Sequence, residues 1–202
     1  MSEYHKIETL YERDEKTFKV KPGVFKNRAY TLLKEWEFTE KIDGTNIRCI
    51  WEKGVLKFGG KTDNAQIHSD LIRWLYENVS TAKMAVIFPE VSVVLYGEGY
   101  GAGIQKGGGY SETKKFILFD VLVDGKWWLS WENTCDVAKK IGLDVVPYLG
   151  PMSLEQATEM VRAGFKSLLG ARDAEGVVGR PAETLFDKKG HRLIVKLKTK
   201  DF

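Results

Sequence analysis

The chain has 202 residues, 43% of them hydrophobic and 29% charged, a composition that fits one well-cored globular domain and excludes a disordered chain. Its net charge of +3, from 31 Lys and Arg against 28 Asp and Glu, is too small by itself to argue for a nucleic-acid partner. The charged opening MSEYHKIETLYERDEK does not read as a signal peptide, and no apolar run approaches the ~20 residues of a membrane span, so a membrane protein is excluded.

Cys49 and Cys135 lie far apart without metal-ligand spacing. No disulfide framework or zinc knuckle is expected, and a reducing cytoplasm fits. Charge gathers at the carboxyl end, where Lys188, Lys189, Arg192, Lys196, Lys198 and Lys200 face only Asp187 and Asp201. That segment is a candidate polyanion contact.

In chain order, a polar leader gives way to strand, turn and strand over Glu35 to Ile50. Trp36 and Phe38 precede the Asp43-Gly44 turn signal, and Ile47, Cys49 and Trp51 alternate after it. Val55 to Phe58 continues as a hairpin strand closed by Gly59-Gly60. Residues 64 to 80 read as a helix with Leu71, Leu75 and Val79 on one face. Val91 to Tyr96 and Phe116 to Val123 read as strands, and glycine-rich Gly97 to Gly109 reads as a long loop between them. Ser153 and Gln156 form a capping-box signal for a helix running through Leu168 and stopping at Gly170. Gly176 to Gly179 and Arg192 to Leu197 complete the set as short strands. No internal repeat or linker is evident, so one α+β unit over residues 1 to 202 is expected.

The sharpest chemical signal is Glu40-Lys41-Ile42-Asp43-Gly44-Thr45-Asn46, a lysine at a strand end before a tight turn. An amine attacks phosphorus only when neutral, and with an ordinary lysine pKa of about 10.4 that form is scarce near pH 7 unless burial or a neighbouring cation promotes it. Lys196 and Lys198 alternate along Leu193 to Lys198, so both emerge on one strand face and can meet one triphosphate. Glu98 and Glu175 each stand beside glycine at a strand end, where backbone approaches a ligand closely and a carboxylate can take a sugar hydroxyl or a metal-bound water. Taken singly, each of these residues is an ordinary surface charge, and Phe116 and Phe119 are ordinary core phenylalanines. His5, His68 and His191 show no metal spacing. Trp127, Trp128 and Trp131 are core or sheet-face residues, or in part a stacking platform for nucleic acid.

Taken in order, Lys41-Ile42-Asp43-Gly44, Gly60-Lys61-Thr62, Tyr96-Gly97-Glu98, Phe116 to Asp120, Glu175 to Val178 and Lys196-Leu197-Lys198 resemble the six elements of the covalent nucleotidyltransferases. Glu35-Trp36, Gly44-Thr45-Asn46 and Gly103-Ile104-Gln105-Lys106 resemble the RNA ligase 2-like, RNA-sealing branch. The resemblance implies an α+β, ATP-grasp-like catalytic domain in which two mainly antiparallel sheets with flanking helices enclose ATP. It implies that Lys41 accepts AMP, that Glu175 organises Mg²⁺ or Mn²⁺, directly or through water, and that Lys196 and Lys198 contact the phosphates. Glu98 is expected on the ribose and Phe119 on adenine, with Glu40, Ile42, Asn46 and Lys61 completing the nucleotide site.

The implied reaction seals a 3′-hydroxyl to a 5′-phosphate through lysyl-AMP and an adenylylated 5′ end. RNA ends or a nicked duplex are the expected partners, and a cytoplasmic monomer is the expected form. The chain departs from the family where Lys61 replaces the usual arginine, a point charge in place of a two-pronged donor. Nothing follows Phe202, so no carboxyl-terminal accessory domain is expected. A small ATP-dependent DNA ligase and an inactive nucleic-acid-binding relative stay open as alternatives, with a GTP-using capping enzyme a weaker rival.

Overall fold

The computed structural model describes residues 3–202 as a mixed α+β chain of two compact units. A split unit holds Lys6–Ile42 and Pro147–Phe202, and an inserted unit holds Asp43–Val146 together with the amino-terminal residues up to His5. Lys6–Ile42 carries strands β1 (Glu8–Thr9), β2 (Tyr11–Arg13), β3 (Val20–Phe25) and β4 (Trp36–Glu40). Asp43–Val146 carries β5 (Thr45–Glu52), β6 (Val55–Gly59), α1 (Ser69–Asn78), α2 (Thr81–Ile87), β7 (Val93–Tyr100), β8 (Lys115–Val123), β9 (Trp127–Trp128) and α3 (Trp131–Ile141). Pro147–Phe202 carries β10 (Tyr148–Met152), α4 (Leu154–Ala163), β11 (Gly176–Arg180) and β12 (Val195–Lys198).

The split unit is built on a sheet ordered β1-β12-β11-β4-β10, antiparallel except where β1 runs beside β12. Strand alternation sorts its residues. Trp36, Phe38, Val177, Val195 and Leu197 turn to one face and join Leu154, Ala157 and Val161 of α4 in a buried cluster. That helix starts where the sequence places it, on Ser153, whose hydroxyl accepts from the Gln156 N–H while the Gln156 side chain accepts from the Ser153 N–H. It ends earlier than expected, at Ala163, because Gly164 adopts φ +77°. Phe165 and Leu168 therefore lie beyond the helix.

The inserted unit has a five-stranded antiparallel sheet, β6-β5-β7-β8-β9. Ile47, Cys49, Trp51, Val93, Leu95, Phe116, Leu118 and Val121 turn to the face covered by α1 and α3, where Leu71, Leu75, Val137, Ala138 and Ile141 complete the core. The expected loop from Gly97 is shorter than its glycine content suggests, since Gly97 to Tyr100 continue β7. A Cβ on Gly97 would stand 2.3 Å from the Ile117 carbonyl oxygen, and one on Gly99 would stand 2.4 Å from Leu71 Cδ2. These glycines admit close neighbours to a strand and do not mark a loop. Both sheets match the expected mainly antiparallel α+β architecture.

Candidate active site

In the split unit, β4 ends at Glu40 and the chain continues as Lys41, whose N–H donates to the Gly176 carbonyl at 2.9 Å. Gly176 pairs across β12 with Lys198, and Thr39, Val178 and Lys196 form the next row but one in register. Parity thus puts Lys41, Lys196 and Lys198 on the sheet face opposite Trp36, Phe38, Val177 and Leu197. Gly176 sits at φ +154°, and a Cβ there would be 2.0 Å from the Leu197 oxygen. Only glycine lets β11 and β12 close at this point.

Glu175, just before β11, bridges two of the lysines. Its Oε2 accepts from Lys41 Nζ at 2.6 Å and its Oε1 stands 2.7 Å from Lys198 Nζ. Burial alone would raise the Glu175 pKa, but the Lys41 and Lys198 ammonium groups outweigh it and hold the carboxyl below its ordinary value. Lys196 has the opposite balance. Desolvation first, then the charges of Lys198 and Lys41, bring its pKa down to about 8. Four of the residues singled out in the sequence therefore meet in one cluster.

Glu40 does not join that cluster through its side chain. It is 1% exposed on the core-facing side of β4, and its Oε2 accepts from the Leu168 N–H at 2.9 Å. Its Oε1 is buried without a hydrogen-bond partner among the described residues. Ile42, 2% exposed, is packed as an apolar residue at the end of the split unit's first segment.

A second group forms in the inserted unit, on the sheet face turned away from α1 and α3. Asn46 pairs with Glu98 across β5 and β7, and Phe119 packs on that face against Val94, Tyr96 and Leu122. The register shifts between Tyr96 and Gly97, as Tyr96 faces Asp120 and Gly97 faces Leu118, so Phe119 occupies a bulge that frees its side chain from strict alternation. Asn46 Oδ1 is buried without a hydrogen-bond partner among the described residues. A buried acceptor left so costs about 1–3 kcal/mol, which a ligand donor would relieve. Gly44 brings the turn onto this face, for a Cβ there would be 2.2 Å from the Gly99 oxygen and 2.9 Å from Glu98 Cγ.

Two features have no counterpart in the sequence motifs. Arg48, on the same strand face as Asn46, is 0% exposed and donates to the Gly60 carbonyl at 2.9 Å and to Asp63 Oδ1 at 2.7 Å. Tyr4 lies on the Phe119 face, with ring centroids 4.9 Å from Tyr96 and 5.1 Å from Phe119, and its hydroxyl donates to Asp120 Oδ2 at 2.7 Å. Neither has a local pattern that could have revealed it. Lys61 follows β6 and is exposed. In the basic tail, Lys188 and Lys189 are exposed, whereas Asp201 is buried and paired with Arg13 at 2.9 Å. Only Lys196 and Lys198 of that tail enter the cluster.

Among the described residues no group of three or more His, Cys, Asp or Glu could hold a metal ion. Glu175 already has an ammonium on each oxygen. This donor set does not fit an all-protein metal cage. It fits Mg²⁺ or Mn²⁺ carried by substrate phosphates and water, with one carboxylate nearby.

These elements define a nucleotidyltransferase fold. Residues 34–198 match the RNA ligase family, and the chain belongs to it. No curated protein matches the chain. Its fold is similar to solved structures of an RNA ligase from Naegleria gruberi. One, a mutant with ATP and Mn, has 19% identity and a TM-score of 0.66 over 84% of this chain and 52% of that one. Another mutant, with AMP and Mn, has 18% identity and a TM-score of 0.67 over 83% and 50%. A third, with PPi, has 20% identity and a TM-score of 0.65 over 83% and 50%. The chain thus spans about half the length of these proteins.

Proposed function

We propose that the protein is an ATP-dependent RNA ligase whose Lys41 carries AMP, and that residues 1–202 are one adenylyltransferase (ligase catalytic) domain. The observation that carries this reading is Glu175 held between Lys41 at 2.6 Å and Lys198 at 2.7 Å, with Lys196 on the same strand face. The ATP, AMP and PPi named for the Naegleria gruberi structures support ATP as donor and pyrophosphate as leaving group.

In the first step Lys41 Nζ, once it has lost its proton, attacks the α-phosphorus of ATP. An N–P bond forms, the bond to pyrophosphate breaks, and the ammonium proton goes to Glu175 or water. Lys41 can attack only after it gives up that proton, because an ammonium has no lone pair to donate. Incoming phosphates that draw Lys198 and Lys196 toward them would leave Glu175 able to accept that proton. The two lysines then stabilise charge on the phosphates. A bound divalent cation adds charge neutralisation on the phosphates. In the second step a 5′-phosphate oxygen displaces Lys41 and takes AMP; in the third a 3′-hydroxyl attacks that 5′ phosphorus and expels AMP.

Asn46, Glu98 and Phe119 are assigned to the nucleoside, Phe119 by stacking on the base. Glu40 and Ile42 contribute through backbone or packing, and Lys61 faces a substrate phosphate. RNA ends or a nicked duplex are the substrates, and the protein works as a cytoplasmic monomer. No helix among the described residues is long and apolar enough to cross a membrane.

Incubation with ATP and Mg²⁺ followed by intact mass measurement tests the first step. The parent should gain one AMP and Lys41→Ala none; a parent that stays at its starting mass removes the reading. RNA and DNA nicks offered side by side then separate an RNA ligase from a DNA ligase.

A further inference from the structure

Resting on that ligase reading, we infer that Arg48 is a positioning residue that clamps the segment carrying Lys61, and so supplies from a neighbouring strand the rigidity lost where lysine stands in place of the family's arginine. Arg48 pairs directly with Gly59 across β5 and β6. A Cβ on Gly59 would meet the guanidinium at 3.1 Å, so glycine is what lets the backbone lie on it. From there Arg48 reaches both sides of Lys61, donating to the Gly60 carbonyl at 2.9 Å and to Asp63 Oδ1 at 2.7 Å.

Two consequences follow for Lys61. Its ammonium is a point charge on a flexible stem, with no fork to fix its own direction against a phosphate, so its placement depends on where the backbone is held. A guanidinium gripping residues 60 and 63 holds that backbone at both ends. The second consequence is electrostatic. Asp63 is the nearest acid in sequence to Lys61, and its side chain is 80% exposed. The hydrogen bond and charge of Arg48 hold its carboxyl below the ordinary pKa, as an anion already paired. Lys61 itself forms no ion pair with the described residues. The clamp therefore engages Asp63 and leaves the Lys61 charge for an incoming phosphate.

A double-mutant cycle tests this on the full chain, using the transfer of AMP from enzyme pre-charged with ATP to a 5′-phosphorylated oligoribonucleotide at a nick. Arg48→Met, Asp63→Ala and Lys61→Ala should each slow transfer, the first two by about tenfold through misplacement of the phosphate contact. Each double variant with Lys61→Ala should be no slower than Lys61→Ala alone, because the clamp acts only through that lysine. Raising the oligoribonucleotide concentration should restore much of the rate in Asp63→Ala. Parent-like transfer in Asp63→Ala and Arg48→Met, or losses that multiply with Lys61→Ala, would overturn the clamp. Asp63 is exposed, so its variant keeps the test valid if Arg48→Met does not fold. Failure of the parent to charge with AMP would instead strike the ligase reading itself.

Discussion

One carboxylate between two ammonium groups is a balance that either side can upset. Removing the Glu175 charge leaves Lys41, Lys196 and Lys198 repelling one another in a partly buried site. We expect Glu175→Gln to lower stability by about 1–3 kcal/mol at pH 7, less than for a fully buried pair because solvent screens these groups. A thermal melt checks it, and an unchanged midpoint would mean the bridge is too loose to matter. Lys196 makes a prediction with the opposite sign. Its pKa is held at about 8, below the ordinary 10.5, by desolvation first and then by Lys198 and Lys41. Between those values the unfolded chain binds the proton and the folded chain does not, so stability attributable to this group rises with pH across that window. Below pH 8 it is a cost. Lys196→Met should therefore melt higher than the parent at pH 7, by about 1 kcal/mol after screening, with the gain fading toward pH 10.5. The same variant should charge with AMP at least ~100-fold more slowly. Equal melting at both pH values would refute the assigned balance. Lys41, Glu175, Lys196 and Lys198 were legible because their motifs stand in order along the chain. Arg48 was not, since its meaning comes from a cross-strand glycine and from a carboxylate fifteen residues on.

Among the elements, β11 and β12 set the cluster, and Gly176 sets their separation. Alanine at that position would put a Cβ 2.0 Å from the Leu197 oxygen and 2.8 Å from Lys198 Cα, so the strands must part and carry Glu175 and Lys198 with them. Gly54 is the control, with φ +76° and nothing within 4 Å of the place a Cβ would take. Gly176→Ala should abolish AMP charging, whereas Gly54→Ala should cost only about 1 kcal/mol of stability from backbone strain and leave charging intact. Charging by Gly176→Ala at the parent rate would show that the site tolerates a shifted strand. Elements with strong periodic or capping signals were legible, as with β8 and the start of α4. Others were not. The α2 helix gives little sequence signal because its apolar face is short; α3 carries cap residues at Ser130 and Gly142, but its buried face mixes Thr134 and Ala138 with Val137 and Ile141, which weakens the apolar pattern; and the end of α4 is misplaced because an apolar recurrence through Phe165 and Leu168 continues past the glycine that stops the backbone.

For the whole molecule, the division into two units means that the chain passes between them at His5–Lys6, Ile42–Asp43 and Val146–Pro147. The sequence offers no linker at any of these points, which is why it reads as a single domain. The amino-terminal passage is the least expected, since a few residues separated from Asp43 by the whole of the split unit's first segment, Lys6–Ile42, belong to the inserted unit. His5 attaches them through a ring contact with Trp128 at 5.4 Å, and Tyr4 through ring contacts with Tyr96, Phe119 and Trp128 and a hydroxyl donated to Asp120. Tyr4→Ala removes all four contacts, and a partly buried aromatic of this kind is worth about 2–3 kcal/mol. Tyr4→Phe keeps the rings and loses only the hydrogen bond, worth about 1 kcal/mol or somewhat more because its acceptor is a carboxylate. Hydrogen exchange resolved along the chain should then find β7, β8 and β9 less protected in Tyr4→Ala, with Tyr4→Phe intermediate, while β11 and β12 keep the protection of the parent. A loss spread evenly over both sheets would mean that the units unfold as one, and that the amino-terminal residues support the whole fold and not the inserted unit alone.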